Sequence, residues 1–299
     1  MANSESQPMS AENDSVEQSS FLVDTVRRFL KHKLAVGGLI VLILLTLVAV
    51  FAPYIAPHHP NEIPALVESD SPTWAHPLGL DQLGRDNLSR LIFGTRISLS
   101  VGFVAVTGYI VIGTILGAIG GYLGGWIDIA VTRLTDTVLA FPRLMLILVT
   151  VSFLGPSIWN VMLILGLLGW PATCRIVRGE FMSLKDQEFV HAARASGAST
   201  PRIMFKHILP NAMAPILVTA TFGIATAILI EASLSFLGMG VQPPTPSWGN
   251  MLQSAQSLSI LNHKPYLWIP PGLMILIAVL SFNFVGDGLR DALDPKLKD

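Results

Sequence analysis

Residues 144–174 read LMLILVTVSFLGPSIWNVMLILGLLGWPATC, without a single Asp, Glu, Lys or Arg. Taken as one helix, this run crosses a membrane once and the chain has five spans. The segment after it would then lie outside with Arg175, Arg178, Lys185, Arg194, Arg202 and Lys206. That opposes the excess of Lys and Arg carried by cytoplasmic loops. Gly155-Pro156-Ser157, in the middle of the run, is a strong turn signal. Breaking there gives a tight hairpin of two spans, about 134–154 and 157–174. Of the 19 Lys and Arg, all but Arg85, Arg90, Arg96 and Lys264 then face the cytoplasm. The sequence predicts six spans.

The rest of the chain has the same character. Uncharged runs recur at 34–56, 97–127, 207–230 and 265–286, each above the roughly 18 apolar residues of a membrane-spanning candidate. The 299 residues are 51% hydrophobic and 13% charged, against about 25% charged in soluble domains. This predicts an all-α polytopic membrane protein. A net charge of −1 points to no nucleic-acid partner. Cys174, the single cysteine, excludes an internal disulfide and a multi-thiolate metal site; a packed, inert thiol is expected.

The predicted spans are 34–56, then about 97–121, 134–154, 157–174, 212–237 and 266–286, the last five within a transmembrane core of 97–289. Segments 57–96 and 238–264 lie outside. A cytoplasmic tail, 1–33, with a disordered start, and a second tail, 290–299, put both termini inside. Arg27, Arg28, Lys31 and Lys33 precede the first span, whose length exceeds the 7–15 residues of a signal peptide's apolar region, so it is read as uncleaved. The third span must recruit 134–143, with Asp136 and Arg143 at the inner interface and a bend at Pro142.

Gly113, Gly117, Gly121 and Gly125 fall every fourth residue on one stripe of the second span, the spacing that lets two helices approach closely in lipid. No GxxxxGK[ST] phosphate loop occurs in the chain, so any ATP must be bound by another subunit. Neither catalytic nor cofactor residues stand out, and His58-His59 offers too few ligands for a metal site. A membrane-embedded hydrolase lacks its nucleophile and base. Glu231, well inside a predicted span, is a candidate for the translocation path or a gate, for instance as partner of a peptide amino terminus; holding a helix end is the other reading.

Residues 189–211, FVHAARASGASTPRIMFKHILPN, are small, polar and basic between two apolar runs. A helix is predicted over 185–196, with Phe189, Ala192, Ala193 and Ser196 on one face. Gly197 ends it in a left-handed conformation. Thr200 caps a second helix with Pro201 in its first turn, and Pro210 stops that helix before the fifth span. Spacing alone leaves two readings open, a docking element and a solvated connector.

His191-Ala192-Ala193, Gly197 and Ile208-Leu209-Pro210 resemble the Glu-Ala-Ala…Gly…Ile-x-Leu-Pro loop of ABC importer permeases. HPLGLDQLGRD (76–86), EASLSFLGMGVQPPTPSWGNML (231–252) and GDGLRDALDPKL (286–297) resemble the second permease of dipeptide and oligopeptide importers. The resemblance implies a type I ABC importer permease fold, with a coupling helix between spans four and five. It places Glu188, Phe189, His191, Ala192, Ala193, Gly197, Ile208, Leu209 and Pro210 in the loop, 175–210, that docks on an ATPase. His191 departs from the usual Glu, and His207 from the usual apolar residue. The resemblance further implies a homologous permease as heterodimer partner and two ATP-binding subunits that hold ATP and magnesium. A substrate-binding protein would deliver cargo outside the cytoplasmic membrane of a prokaryote. Nickel or other small-solute importers share the architecture; on hydropathy alone a secondary transporter or channel stays open.

Overall fold

The structure is a computed structural model that describes residues 23–63 and 70–293. The disordered start expected of the first tail, and most of the second, lie outside these residues. Ten helices build the bundle and position its connecting segments. They are α1 Lys33–Val50, α2 Asn87–Leu123, α3 Gly125–Leu139, α4 Arg143–Leu154, α5 Ile158–Leu168, α6 Trp170–Leu184, α7 Glu188–Ala195, α8 Met213–Phe236, α9 Trp248–Leu252 and α10 Pro265–Leu293. Among the described residues there is no strand.

Five helices are long and apolar enough to cross a membrane: α1, α2, the continuous 27-residue pair α5–α6, α8 and α10. The pair α3–α4 meets the same criteria only jointly and bends by 83° at its break. Counting that pair as one broken span gives six. Both decisive turns are local chemistry. Gly155, at φ 84°, ends α4, where a side chain would be strained. Pro142 heads α4 without a backbone N–H, so the α3 ladder cannot continue through it.

Several boundaries differ from expectation, two of them by ten residues. The second span begins at Asn87 rather than 97, and its 37 residues reach about 55 Å at 1.5 Å per residue. That is well beyond the roughly 30 Å hydrocarbon layer. Its first turns carry Arg90, buried because its head is satisfied: Nε lies 3.4 Å from Asp81 and Nη1 reaches the Pro60 and Pro244 carbonyls at 3.2 and 3.3 Å. The fourth span runs to Leu184 rather than 174, since Arg175 and Arg178 on α6 pair with Asp136 and Asp128 on α3. The segment between α6 and α8 is correspondingly shorter than 175–210.

α2 is the hub, packed against α1, α5, α6 and α8, while α10 closes against α1 and α8. The glycine stripe explains the closest of these contacts. A Cβ on Gly113, Gly117 or Gly121 would stand 2.8, 2.6 or 2.6 Å from the carbonyl oxygens of Trp170, Cys174 and Arg178 on α6. Backbone cannot yield there, so only glycine fits. Gly125 is a correction. It lies past the end of α2, at φ 58° with nothing near its absent side chain, and forms with Gly124 the turn into α3. Large apolar side chains face outward, Phe153 86% and Trp159 74% exposed, as lipid or a partner subunit requires.

Candidate functional site

The first candidate is the elbow around α7. Its eight residues end in a complete Schellman motif: the Gly197 N–H donates to the Arg194 carbonyl at 3.0 Å and the Ala198 N–H to the Ala193 carbonyl at 3.1 Å. Gly197 stands at φ 78°, the left-handed geometry this motif demands. One residue pins the helix. Val190, fully buried, enters a core with Ala118, Val177, Phe181, Ile203 and Ile208 drawn from α2, α6 and the return segment. Arg194 Nη2 adds a 3.3 Å hydrogen bond to the Tyr122 hydroxyl at the end of α2. Glu188, Phe189, His191, Ala192 and Gly197 are left exposed, with Ala193 half-buried. The elbow is thus a short helix rooted in two spans, with its outer side exposed.

The return to α8 differs from expectation in three places. Ser199, not Thr200, occupies the N-cap. Ile208 is wholly buried and belongs to the core, not to the outward face. Pro210 does not stop the helix. Residues Ile203–Ile208 widen into a π-helix, Leu209–Asn211 follow in α geometry, and α8 starts two residues later. A π turn spaces hydrogen bonds five residues apart, and that reorganises the ladder just where proline lacks its N–H.

The second candidate surrounds Glu231, which is 0% exposed. Its carboxylate accepts from Ser98 Oγ at 3.2 Å and from Ser235 Oγ at 2.7 Å, with Ser247 close by. Each of the three serines accepts a backbone N–H in turn. Ser98 accepts the Trp248 N–H at 3.1 Å, Ser235 the Val241 N–H at 3.0 Å, and Ser247 the Asn250 N–H at 3.2 Å. Charged and polar groups inside a membrane bundle are tolerated when satisfied in this way. Glu231 therefore ties α2 and α8 to the segment carrying α9 within this subunit, rather than facing an open path.

The break between α3 and α4 supplies a third feature. Asp136 leaves the bundle to pair with exposed Arg175 at 2.9 Å. Arg143, by contrast, lines a small cavity of about 120 Å³ with Val138, Phe141, Leu168 and Gly169. Its Nε is buried without a hydrogen-bond partner among the described residues. Sequence reasoning placed Arg143 at an interface and did not single it out. Cys174 is buried, its sulfur 3.8 Å from the Thr135 hydroxyl, a packed thiol.

At the end of α2 remote from α7, Asp81 bridges Arg85 (2.7 Å) and Arg90, and these three line a cavity of about 480 Å³. Beside it, the Asp70 carboxylate bonds Lys264 and holds its ammonium above the ordinary lysine range. His58 and His59 do not converge: His59 is exposed, whereas His58 lies against the ring of His76.

The fold is that of a helical membrane protein with a short helical elbow between two candidate spans. Residues 110–299 match the family described as binding-protein-dependent transport system inner membrane component. Residues 20–73 match the N-terminal TM domain of oligopeptide transport permease C. The chain belongs to this permease family. It is 44% identical over 275 residues to the dipeptide transport system permease protein DppC of Alkalihalophilus pseudofirmus, covering 92% of this chain and 90% of that one. The Haemophilus influenzae dipeptide transport system permease protein is 45% identical, covering 90% and 93%. The glutathione transport system permease protein GsiD of Pectobacterium atrosepticum is 42% identical, covering 91% and 90%. The fold matches an inward-facing MetNI methionine ABC transporter structure with a TM-score of 0.57 at 19% identity, over 69% of this chain and 96% of that one. It is thus a multi-pass membrane component of a binding-protein-dependent transport system.

Proposed function

We propose that this chain is one of two homologous permeases of an ATP-driven peptide importer in a prokaryotic cytoplasmic membrane, with α7 and both termini in the cytoplasm. The observation that carries the reading is α7, a glycine-ended helix whose outer side is exposed and whose inward Val190 is locked among α2, α6 and the lead-in to α8. ATP-binding subunits dock on that face. Closure of their dimer moves α7, and Val190 and Arg194 pass the motion to the spans, which rock as rigid bodies between inward- and outward-open states. The basic residues flanking α7 support its cytoplasmic placement.

Relatives named for dipeptides and glutathione support a short peptide as cargo, delivered by an extracytoplasmic binding protein. Discontinuous spans mark substrate sites in transporters. Arg143, an unsatisfied cation at such a break, fits the peptide's terminal carboxylate. The test is reconstitution of the full transporter in proteoliposomes. Uptake of labelled di- and tripeptides should require ATP and the binding protein. Nickel uptake without peptide uptake would move the chain to the metal-importing branch, and uptake driven by an ion gradient alone would make it a secondary transporter.

A further inference from the structure

Three segments bring metal-binding side chains together at the N-terminal end of α2. His58 lies on the stretch leaving α1, His76 in the following loop, and Asp86 caps α2. Their donor atoms all lie within 4.8 Å of one another. We propose that His58, His76 and Asp86 bind one divalent transition-metal ion of the zinc type, which staples the stretch leaving α1 to the start of α2.

The site is built before any ion arrives. Asp86 is 1% exposed. Its Oδ2 is fixed by the Ser89 N–H at 2.7 Å, and its Oδ1 lies 2.9 Å from His76 Nδ1. Ser89 also accepts the His58 N–H on its hydroxyl at 3.0 Å, so one residue orients two of the three ligands. Such outer bonds aim metal ligands and tune their basicity. The two imidazoles lie with ring centres 4.7 Å apart, tilted by 37°.

Donor chemistry selects the ion. Two imidazole nitrogens and one carboxylate oxygen suit zinc, cobalt, nickel or copper, whereas calcium and magnesium want oxygen alone. Bonds of about 2.0–2.2 Å to a tetrahedral ion place neighbouring donors roughly 3.3 Å apart. The His76–Asp86 donors, 2.9 Å apart, need to open only slightly to reach that spacing. His58 is half-buried, its Nε2 near the exposed Ala75 carbonyl at 3.1 Å, so ring rotation brings in the third ligand. For the ion to bind Nδ1, the neutral His76 ring carries its proton on Nε2. Water takes the fourth position, reached past the His76 side chain, 17% exposed.

The test uses the assembled, untagged transporter, stripped with chelator and titrated with Zn²⁺ by calorimetry. The wild type should bind one saturable equivalent that is weakened at least tenfold in His58→Gln and in His76→Gln. Its melting temperature should rise with Zn²⁺ where theirs does not. Cobalt should give the visible absorption of a four-coordinate site in the wild type alone. Equal stoichiometry and affinity in wild type and variants, or no Zn²⁺ equivalent in the wild type, overturns the proposal. If His76→Gln fails to assemble, His58→Gln decides, since its ring takes no part in the α2 cap.

Discussion

Ser98 and Glu231, 133 residues apart in the chain, meet through a 3.2 Å hydrogen bond inside the bundle. The same Ser98 oxygen accepts the backbone N–H of Trp248, whose indole is completely buried. The segment that carries α9 is thereby fixed to the two spans by side chains rather than by backbone pairing. An acidic residue within a span serves here as a fastener.

Glu231→Ala removes the acceptor shared by the Ser98 and Ser235 hydroxyls. Each buried donor left unpaired costs roughly 1–3 kcal/mol, so the variant should melt several degrees lower and accumulate poorly. Glu231→Asp should recover part of the loss. A melting temperature for Glu231→Ala equal to that of the wild type would show that the serines find other partners and that the carboxylate has another role.

Gly117→Val should be among the most damaging substitutions in α2. Its Cβ would stand 2.6 Å from the Cys174 carbonyl and 2.9 Å from the Val177 Cβ, and overpacking of this kind costs about 1–3 kcal/mol or more. Gly179→Ala, on the helix that Gly117 faces, meets nothing within 4 Å. It should be neutral or slightly stabilising, by up to about 1 kcal/mol of helix propensity. Membrane abundance of the two variants, measured side by side, separates close packing from a general intolerance of larger residues.

Arg143→Gln tests the proposed carboxylate contact. Peptides with a free C-terminus should lose roughly tenfold or more in apparent affinity, about 1.4 kcal/mol. Their C-terminally amidated counterparts should change little. An equal loss for both would assign Arg143 to the structure of the α3–α4 break.

Orientation is tested at Gln187, which N-caps α7 with an exposed side chain. Gln187→Cys should resist a membrane-impermeant maleimide in intact cells and react in inverted vesicles. Labelling of intact cells would place α7 outside and remove the ATPase reading.

The spans were legible because lipid demands long apolar helices, and the turns at Gly155 and Pro142 because those residues act on their own backbone. The α2 and α6 boundaries were not. Arg96 and Arg175 end the charge-free runs on paper, yet the helices continue past them, and Asp81, Asp136 and Asp128 from other elements satisfy Arg90, Arg175 and Arg178. Gly197 could be read in advance as a helix terminator, since its role is local. Val190, which anchors α7, could not, because its partners come from α2, α6 and beyond Ile203. Pro210 was misread for the opposite reason: a π turn, not a local rule, accommodates it. The encounter of His58 with His76 and Asp86 is likewise a product of topology.

The central claim is that the α7 elbow couples ATP hydrolysis to movement of the spans, and Gly197→Val tests it most directly. A Cβ at this position meets no atom within 4 Å, so the cost is conformational, about 1–2 kcal/mol for a branched residue held at positive φ. That is small against a packed bundle and large against a docking contact of a few side chains. The measurement is ATPase co-purification and peptide uptake at matched membrane abundance. The account predicts normal abundance with reduced ATPase retention and reduced uptake. Full retention and wild-type uptake by Gly197→Val would contradict it and leave the elbow a passive connector.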